Sequence, residues 1–243
     1  MLEMVTCHMK KFLRTLLYRI CRLICRMFFL PSCRVLVRGR PEPCEAPLIF
    51  AGNHISHFDP PMFGLQMKSV IDFMAMRELF LWGWSNWLFT NIYAIPVDLG
   101  VAGIQSLRTA AQRLKEKRFV CIFPEGGIRS GVTSILEQVP IPPGAALLSM
   151  QSQVPIQPFI ILGTEQFYAW KAWFRRTEVQ IHFGQRIEPV NAEGKRRKRD
   201  ELNTLLDQEI KRLYGQWKAG PDFVEALVPR TAQERWAEEK ERS

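Results

Sequence analysis

Two short stretches carry residues whose types and spacing suit chemistry. The first reads Asn53-His54-Ile55-Ser56-His57-Phe58-Asp59-Pro60. A histidine and an aspartate five residues apart do not share a helix face. They meet if the stretch is a turn that feeds a helix, with Pro60 and Pro61 in its first turn. The Asp59 carboxylate would then accept a hydrogen bond from the His54 ring. That bond fixes the tautomer and stabilises the imidazolium formed when the ring takes a proton. This is the logic of a serine-protease triad without a protein nucleophile, so that a substrate hydroxyl attacks. Ser56 lies in no G-x-S-x-G elbow and reads as a turn residue. Asn53, Ser56 and His57 are expected to line the site, with His54 as the base.

The second stretch reads Phe123-Pro124-Glu125-Gly126-Gly127-Ile128-Arg129-Ser130. Adjacent glycines let the backbone approach a ligand closely or point N–H groups at an anion. Arg129 can hold a phosphate through two parallel hydrogen bonds. The six cysteines, Cys7, Cys21, Cys25, Cys33, Cys44 and Cys121, form no C-x-x-C pair, and no Cys/His cluster has zinc-ligand spacing. Neither a metal nor another resident cofactor is expected. The thiols read as reduced, facing the cytosol.

Elements must place these stretches. Each follows an apolar run of strand length, Leu48 to Ala51 and Phe119 to Phe123. Further strands are expected at Val70 to Met74, Ile92 to Val97, Pro155 to Leu162 and Val179 to Phe183. Helices are expected at Ala102 to Lys117, Ala145 to Gln151 and about Asp200 to Trp217. Such alternation predicts a single α/β domain with a central, mostly parallel sheet flanked by helices. Ligands of such sheets bind beyond the carboxyl ends of the strands. A length of 243 residues with 47% hydrophobic content suits one full core. The expected limits are an N-terminal segment 1–46, a domain 47–219 and a charged, loosely attached tail 220–243.

The N-terminal segment is amphipathic. From Lys10 to Leu30, residues Leu13, Leu16, Leu17, Ile20, Leu23, Ile24 and Met27 fall on one arc of about 120°. Lys10, Lys11, Arg14, Arg19, Arg22 and Arg26 occupy the opposite half. Four arginines make a bilayer span costly. The pattern predicts a helix lying in the membrane interface, with its cations among lipid phosphates and Pro31 as its end. A helix packed by its apolar arc on the protein's own core is the competing reading. Arg34 to Arg38 reads as a short strand. No secretory signal is recognisable.

A net charge of +9 and a pI near 9.5 favour anionic partners. An anionic membrane surface at the cytoplasmic face is the expected partner. Lys195 to Arg199, ahead of the last helix, reads equally as a solvated helix entry or a headgroup contact. The aromatic stretches Trp82 to Tyr93 and Phe167 to Phe174 divide between core and bilayer interface. No nucleic-acid motif accompanies the charge, and nucleic acid is not an expected partner.

The two stretches together resemble the glycerolipid acyltransferases typified by lysophosphatidic acid acyltransferase, whose signature is an N-H-x4-D block followed by F-P-E-G-T-R-S. Two weaker blocks are similar as well: Ala94-Ile95-Pro96-Val97-Asp98, and Gly144-Ala145-Ala146 followed by Val154-Pro155-Ile156-Gln157-Pro158. The resemblance spans about Leu48 to Phe183. It implies that His54 removes a proton from the acceptor hydroxyl, oriented by Asp59. The oxygen would attack the thioester of acyl-coenzyme A or an acyl carrier protein. Glu125, Gly126, Gly127, Arg129 and Ser130 would form the acceptor site, with Arg129 on the phosphate. The implied acceptor is a lysophospholipid, foremost 1-acyl-sn-glycerol-3-phosphate. Backbone N–H groups of Gly126 and Gly127 are a further candidate for holding the developing oxyanion.

The chain departs from the family pattern in three places. The threonine is missing, and Gly127-Ile128 displace Arg129 by one. Leu99 and Pro142 stand where the family has cations. These departures bear on the acceptor, not on acyl transfer. A different lysolipid acceptor, transacylation between phospholipids, and a non-catalytic lipid-binding tether are the alternatives left open.

Overall fold

The computed structural model describes residues 2–41, 45–97, 103–231 and 234. Cys44, Asp98, Leu99 and Ala102, named above, fall outside the described residues. In chain order the helices are α1 (Leu2–Ser32), α2 (Asp59–Gln66), α3 (Gly83–Asn91), α4 (Gly103–Lys115), α5 (Gly144–Ser152) and α6 (Arg199–Ala219). The strands are β1 (Cys33–Arg38), β2 (Leu48–Gly52), β3 (Ile71–Met76), β4 (Ile95–Val97), β5 (Phe119–Ile122), β6 (Ile156–Leu162) and β7 (Thr177–Phe183).

The strands form one sheet in the order β1-β7-β6-β2-β5-β3-β4. Every pairing among them is parallel except β6 with β7. The central strands β2, β5 and β6 are buried at every position, which is why they read as unbroken apolar runs. Their two-residue period divides each run between two cores. Ile49, Ala51, Val120, Ile122, Ile160 and Leu162 join the core built with α4, α5 and α6. Leu48, Phe50, Phe119, Cys121, Phe159 and Ile161 join a phenylalanine-rich core with α1 and α2.

Several expectations need correction. β1 is hydrogen-bonded along β7 from Cys33–Thr177 to Arg38–His182, so part of the segment ahead of residue 47 completes the sheet. β4 is shorter than Ile92 to Val97, because the Ile92 N–H closes α3 on Leu88 O and Tyr93 takes a left-handed backbone with φ of 69°. Residues 220–228 are not loose. Asp222 pairs with Arg38 at 2.8 Å, Phe223 packs on Trp217, and Leu227 is buried. Pro31 does not end α1, which begins at Leu2 and closes at Ser32.

The N-terminal helix lies on the domain by its polar side. Leu13, Leu16, Ile20, Leu23, Ile24 and Met27 are 43–68% exposed, which overturns packing of the apolar arc on the core. Tyr18 and Phe29 are buried instead. Helix ends leave their last carbonyls without intrahelical partners. Arg14 donates to Thr90 O at the end of α3, and Arg22 donates to Leu65 O in α2 at 3.3 Å and to Lys68 O at 3.2 Å. Arg14 also stands 4.3 Å from the Tyr93 ring centroid. Two of the six cations expected among lipid phosphates therefore dock the helix. Lys10, Lys11, Arg19 and Arg26 remain exposed. Among the described residues no helix is long and apolar enough to cross a membrane.

Candidate active site

Three adjacent central strands, β6, β2 and β5, deliver the site at their carboxyl ends. After β2, Asn53 extends the ladder with its side chain. Its Nδ2 donates to Ile161 O and its Oδ1 accepts from Ile161 N–H, both at 2.8 Å. The chain then turns through 54–58 into α2, with Asp59 as its first residue and prolines behind it, as expected.

Asp59 is fully buried. Its Oδ2 accepts from the Ile55 and Ser56 N–H groups at 2.7 and 2.9 Å, and lies 2.7 Å from His54 Nδ1. An ionised carboxylate only accepts, so Nδ1 carries the hydrogen and Nε2 the lone pair. The His54 ring stacks on Phe123, with centroids 4.5 Å apart and planes at 24°. Its side chain is 15% exposed. Among the described residues Nε2 has no protein partner, so the basic nitrogen is left for a substrate.

The second block grips the backbone of His54. Glu125 Oε2 accepts the His54 N–H at 2.6 Å, and Arg129 N–H donates to His54 O at 2.8 Å. Glu125 Oε1 accepts from Ser134 Oγ at 2.9 Å and Ile135 N–H at 2.8 Å. Both oxygens of the Glu125 carboxylate thus take protein donors that tie the His54 backbone to the 134–135 turn, where the sequence suggests a residue open to the acceptor. Burial pushes its carboxyl above the usual carboxylate range, while hydrogen bonds from Ile135 and His54 pull the other way.

Gly126, with φ of 66°, donates its N–H to Phe123 O at 3.1 Å. That tight turn occupies the N–H, so Gly126 is not an oxyanion donor. Gly127 N–H has no acceptor among the described residues, and a Cβ there would meet nothing within 4 Å. Although the block is one residue longer, the backbone of Arg129 still reaches His54. Its guanidinium is exposed and unpaired among the described residues. Ser130 accepts from the Thr133 hydroxyl through its carbonyl at 2.9 Å.

Two residues expected to line the site lie beneath it. Asn53 and Ser56 are fully buried, and Ser56 Oγ donates to Thr164 O at 3.3 Å while accepting the Phe58 N–H at 3.1 Å. A turn tight enough to bring Asp59 back to His54 points these side chains into the sheet. His57 is exposed, with Nδ1 2.6 Å from the Tyr168 hydroxyl, and it is not among the hydrogen-bond partners of the Asp59 carboxylate. Two participants were not expected. Phe123 forms the floor under the imidazole, and Thr164, at the turn after β6, donates to Asp59 Oδ1. No residue spacing in the chain singles out Thr164.

The α/β sheet presents a carboxylate-held histidine with a free Nε2, an arrangement suited to taking a proton from a hydroxyl, and Ser56 is turned away from it. The chain belongs to the Acyltransferase family, whose model matches residues 34–162, from β1 to the end of β6. Family membership makes it an O-acyltransferase. It is 26% identical over 174 residues to the 1-acyl-sn-glycerol-3-phosphate acyltransferase of Bacillus subtilis (strain 168), covering 70% of this chain and 83% of that protein. Identity is 32% over 190 residues with the 1-acyl-sn-glycerol-3-phosphate acyltransferase alpha of Ovis aries, covering 74% of this chain and 61% of that one. It is 32% over 157 residues with the Limnanthes alba 1-acyl-sn-glycerol-3-phosphate acyltransferase, covering 63% and 53%. The chain thus spans less than two thirds of these last two relatives. The crystal structure of the 1-acyl-sn-glycerophosphate (LPA) acyltransferase PlsC from Thermotoga maritima shares the fold, with a TM-score of 0.64 at 21% identity over 87% of this chain and 82% of that one.

Proposed function

We propose that the protein transfers a fatty acyl chain from an acyl thioester to the free hydroxyl of a lysophospholipid, foremost 1-acyl-sn-glycerol-3-phosphate, at a membrane surface in phospholipid synthesis. The observation that carries this reading is the open Nε2 of a His54 ring whose other nitrogen is bound to Asp59. Nε2 takes the hydroxyl proton as the oxygen attacks the thioester carbonyl. Asp59 stabilises the imidazolium, and Gly127 N–H is the available donor for the oxyanion. The tetrahedral intermediate then collapses, the carbon–sulfur bond breaks, and the thiolate recovers the proton from His54. Acyl-coenzyme A and acyl carrier protein present the same thioester to this machinery. The names of the relatives support the lysophosphatidate acceptor.

Arg129, exposed beside the loop of His54, is assigned to the acceptor phosphate. Arg129→Ala should raise KM for 1-acyl-sn-glycerol-3-phosphate about tenfold, the loss expected of one charge-assisted hydrogen-bond partner. KM for monoacylglycerol should not change. Equal KM values for both acceptors in variant and parent would remove Arg129 from phosphate binding.

Membrane attachment rests on the outward apolar arc of α1. Trp82, Trp84 and Trp87 stand 60–72% exposed at α3, which Arg14 ties to α1. Trp170 and Phe174 are 70% and 84% exposed beside Trp173, whose ring packs on Phe29 of α1 at 5.4 Å. The free thiols Cys21, Cys25, Cys33 and Cys121 fit the reducing, cytoplasmic side. Replacing Leu16, Leu23 and Met27 with Glu should cost about 3 kcal/mol of partitioning, or more than about a hundredfold in vesicle binding. Circular dichroism should be unchanged, since those side chains touch solvent. Cosedimentation with anionic vesicles checks this, and equal pelleting of variant and parent would refute it.

A further inference from the structure

We propose that Thr164, on the turn after β6, is a positioning residue that locks the Asp59 carboxylate against His54. The two oxygens of Asp59 have separate duties. Oδ2 takes three donors, the His54 ring and two backbone N–H groups. Oδ1 takes the Thr164 hydroxyl, and both side chains are fully buried. The terminal torsion of an aspartate is broad and two-fold, so donors on one oxygen alone hold it loosely. A donor on the second oxygen fixes the carboxylate plane, and with it the plane of the imidazole that reads it.

Thr164 is itself held. Gly163 has φ of 86°, and a Cβ there would lie 2.5 Å from Glu178 O in β7 and 2.7 Å from Leu227 Cδ2. The backbone is therefore pressed between β7 and the C-terminal segment at a conformation only glycine adopts easily. Thr164 O receives the Ser56 hydroxyl at 3.3 Å, which ties the same turn to the loop of the base. The β-branched side chain has restricted rotamers, so the hydroxyl is aimed by the backbone. β2 and β5 supply the base and its backbone grip, and β6 supplies the clamp on its partner.

The hydroxyl also tempers the charge that Asp59 presents. Without that donor the carboxylate favours the imidazolium more strongly. Thr164→Val keeps the shape and removes the donor. Its kcat should fall about tenfold with KM within twofold, the lower end of what outer partners of an oriented histidine contribute. The acid limb of its kcat/KM profile should move to higher pH. Thr164→Ser should restore the parent values.

The kinetic readout rests on the acyl-transfer reading, whereas an NMR titration of the His54 ring does not. In Thr164→Val the His54 midpoint should lie above those of the parent and of Thr164→Ser. If Thr164→Val does not fold, Thr164→Ala is titrated in its place. A midpoint equal to the parent's overturns the proposal, whatever the melting temperature. A parent inactive on every lysolipid would sink the acyl-transfer reading and leave the titration to decide Thr164.

Discussion

His54→Ala should lower acyl transfer by about 10²–10⁴-fold, the contribution of a positioned general base, and should leave the fold in place. The fold survives because the bonds that secure this position are made by the backbone. Glu125 binds the His54 N–H and Arg129 donates to its carbonyl, and alanine keeps both groups. The stacking contact with Phe123 is lost, at a cost of about 1 kcal/mol. No neighbour rescues the activity. His57 is turned to Tyr168, and the Ser56 hydroxyl is buried against Thr164 O. A thiol-release assay beside a thermal melt checks the expectation, and a variant that melts like the parent while keeping its rate would remove His54 from the chemistry.

Asp59→Asn should cost about 10²-fold in kcat, with little change in KM or melting temperature. The amide oxygen can occupy the place of Oδ2, where three donors converge. Its NH₂ then faces Thr164, whose hydroxyl turns to accept. Hydrogen bonding is conserved, and only the charge opposite the imidazolium is removed. The analogous change in a serine-protease triad costs about 10⁴-fold because the histidine adopts the wrong tautomer. Here the two backbone N–H groups pin the oxygen, so the tautomer should persist and the loss be smaller. A 10⁴-fold loss would mean that the amide is reversed. An unchanged kcat would mean that the charge plays no part.

The His54–Asp59 contact was legible in the sequence because residue type and turn geometry suffice for it. His54 and Asp59 could meet only across a turn entering a helix, and Pro60 and Pro61 marked that helix. The central strands were legible because burial on both faces leaves unbroken apolar runs. The direction of side chains was not. Glu125 has the composition of a ligand-binding residue, yet its carboxylate points at backbone N–H groups. Asn53 and Ser56 have polar groups suited to a site and spend them on β6 and its turn. The amphipathic pattern of α1 gives an exposed apolar arc, but it treats the cations of the helix as one set. Nothing local shows that Arg14 and Arg22 find helix-end carbonyls of α3 and α2. β1 was recognised as a strand, but its partner β7 lies far along the chain, so its place in the sheet was hidden. Thr164 was invisible for the same reason, being joined to Asp59 only by the adjacency of β6 and β2.

In the proposed reaction the His54–Asp59 pair activates a lysolipid hydroxyl for acylation. The most direct test is mass spectrometry of the products formed by the parent and by His54→Ala from a mixed lysolipid pool with acyl-coenzyme A. The parent should yield diacyl phospholipid carrying the donor chain, foremost phosphatidate, and His54→Ala should yield about a hundredth as much or less in the same time. Diacyl product formed equally by both would contradict the assignment, as would its absence with the parent when either acyl-coenzyme A or acyl carrier protein is the donor.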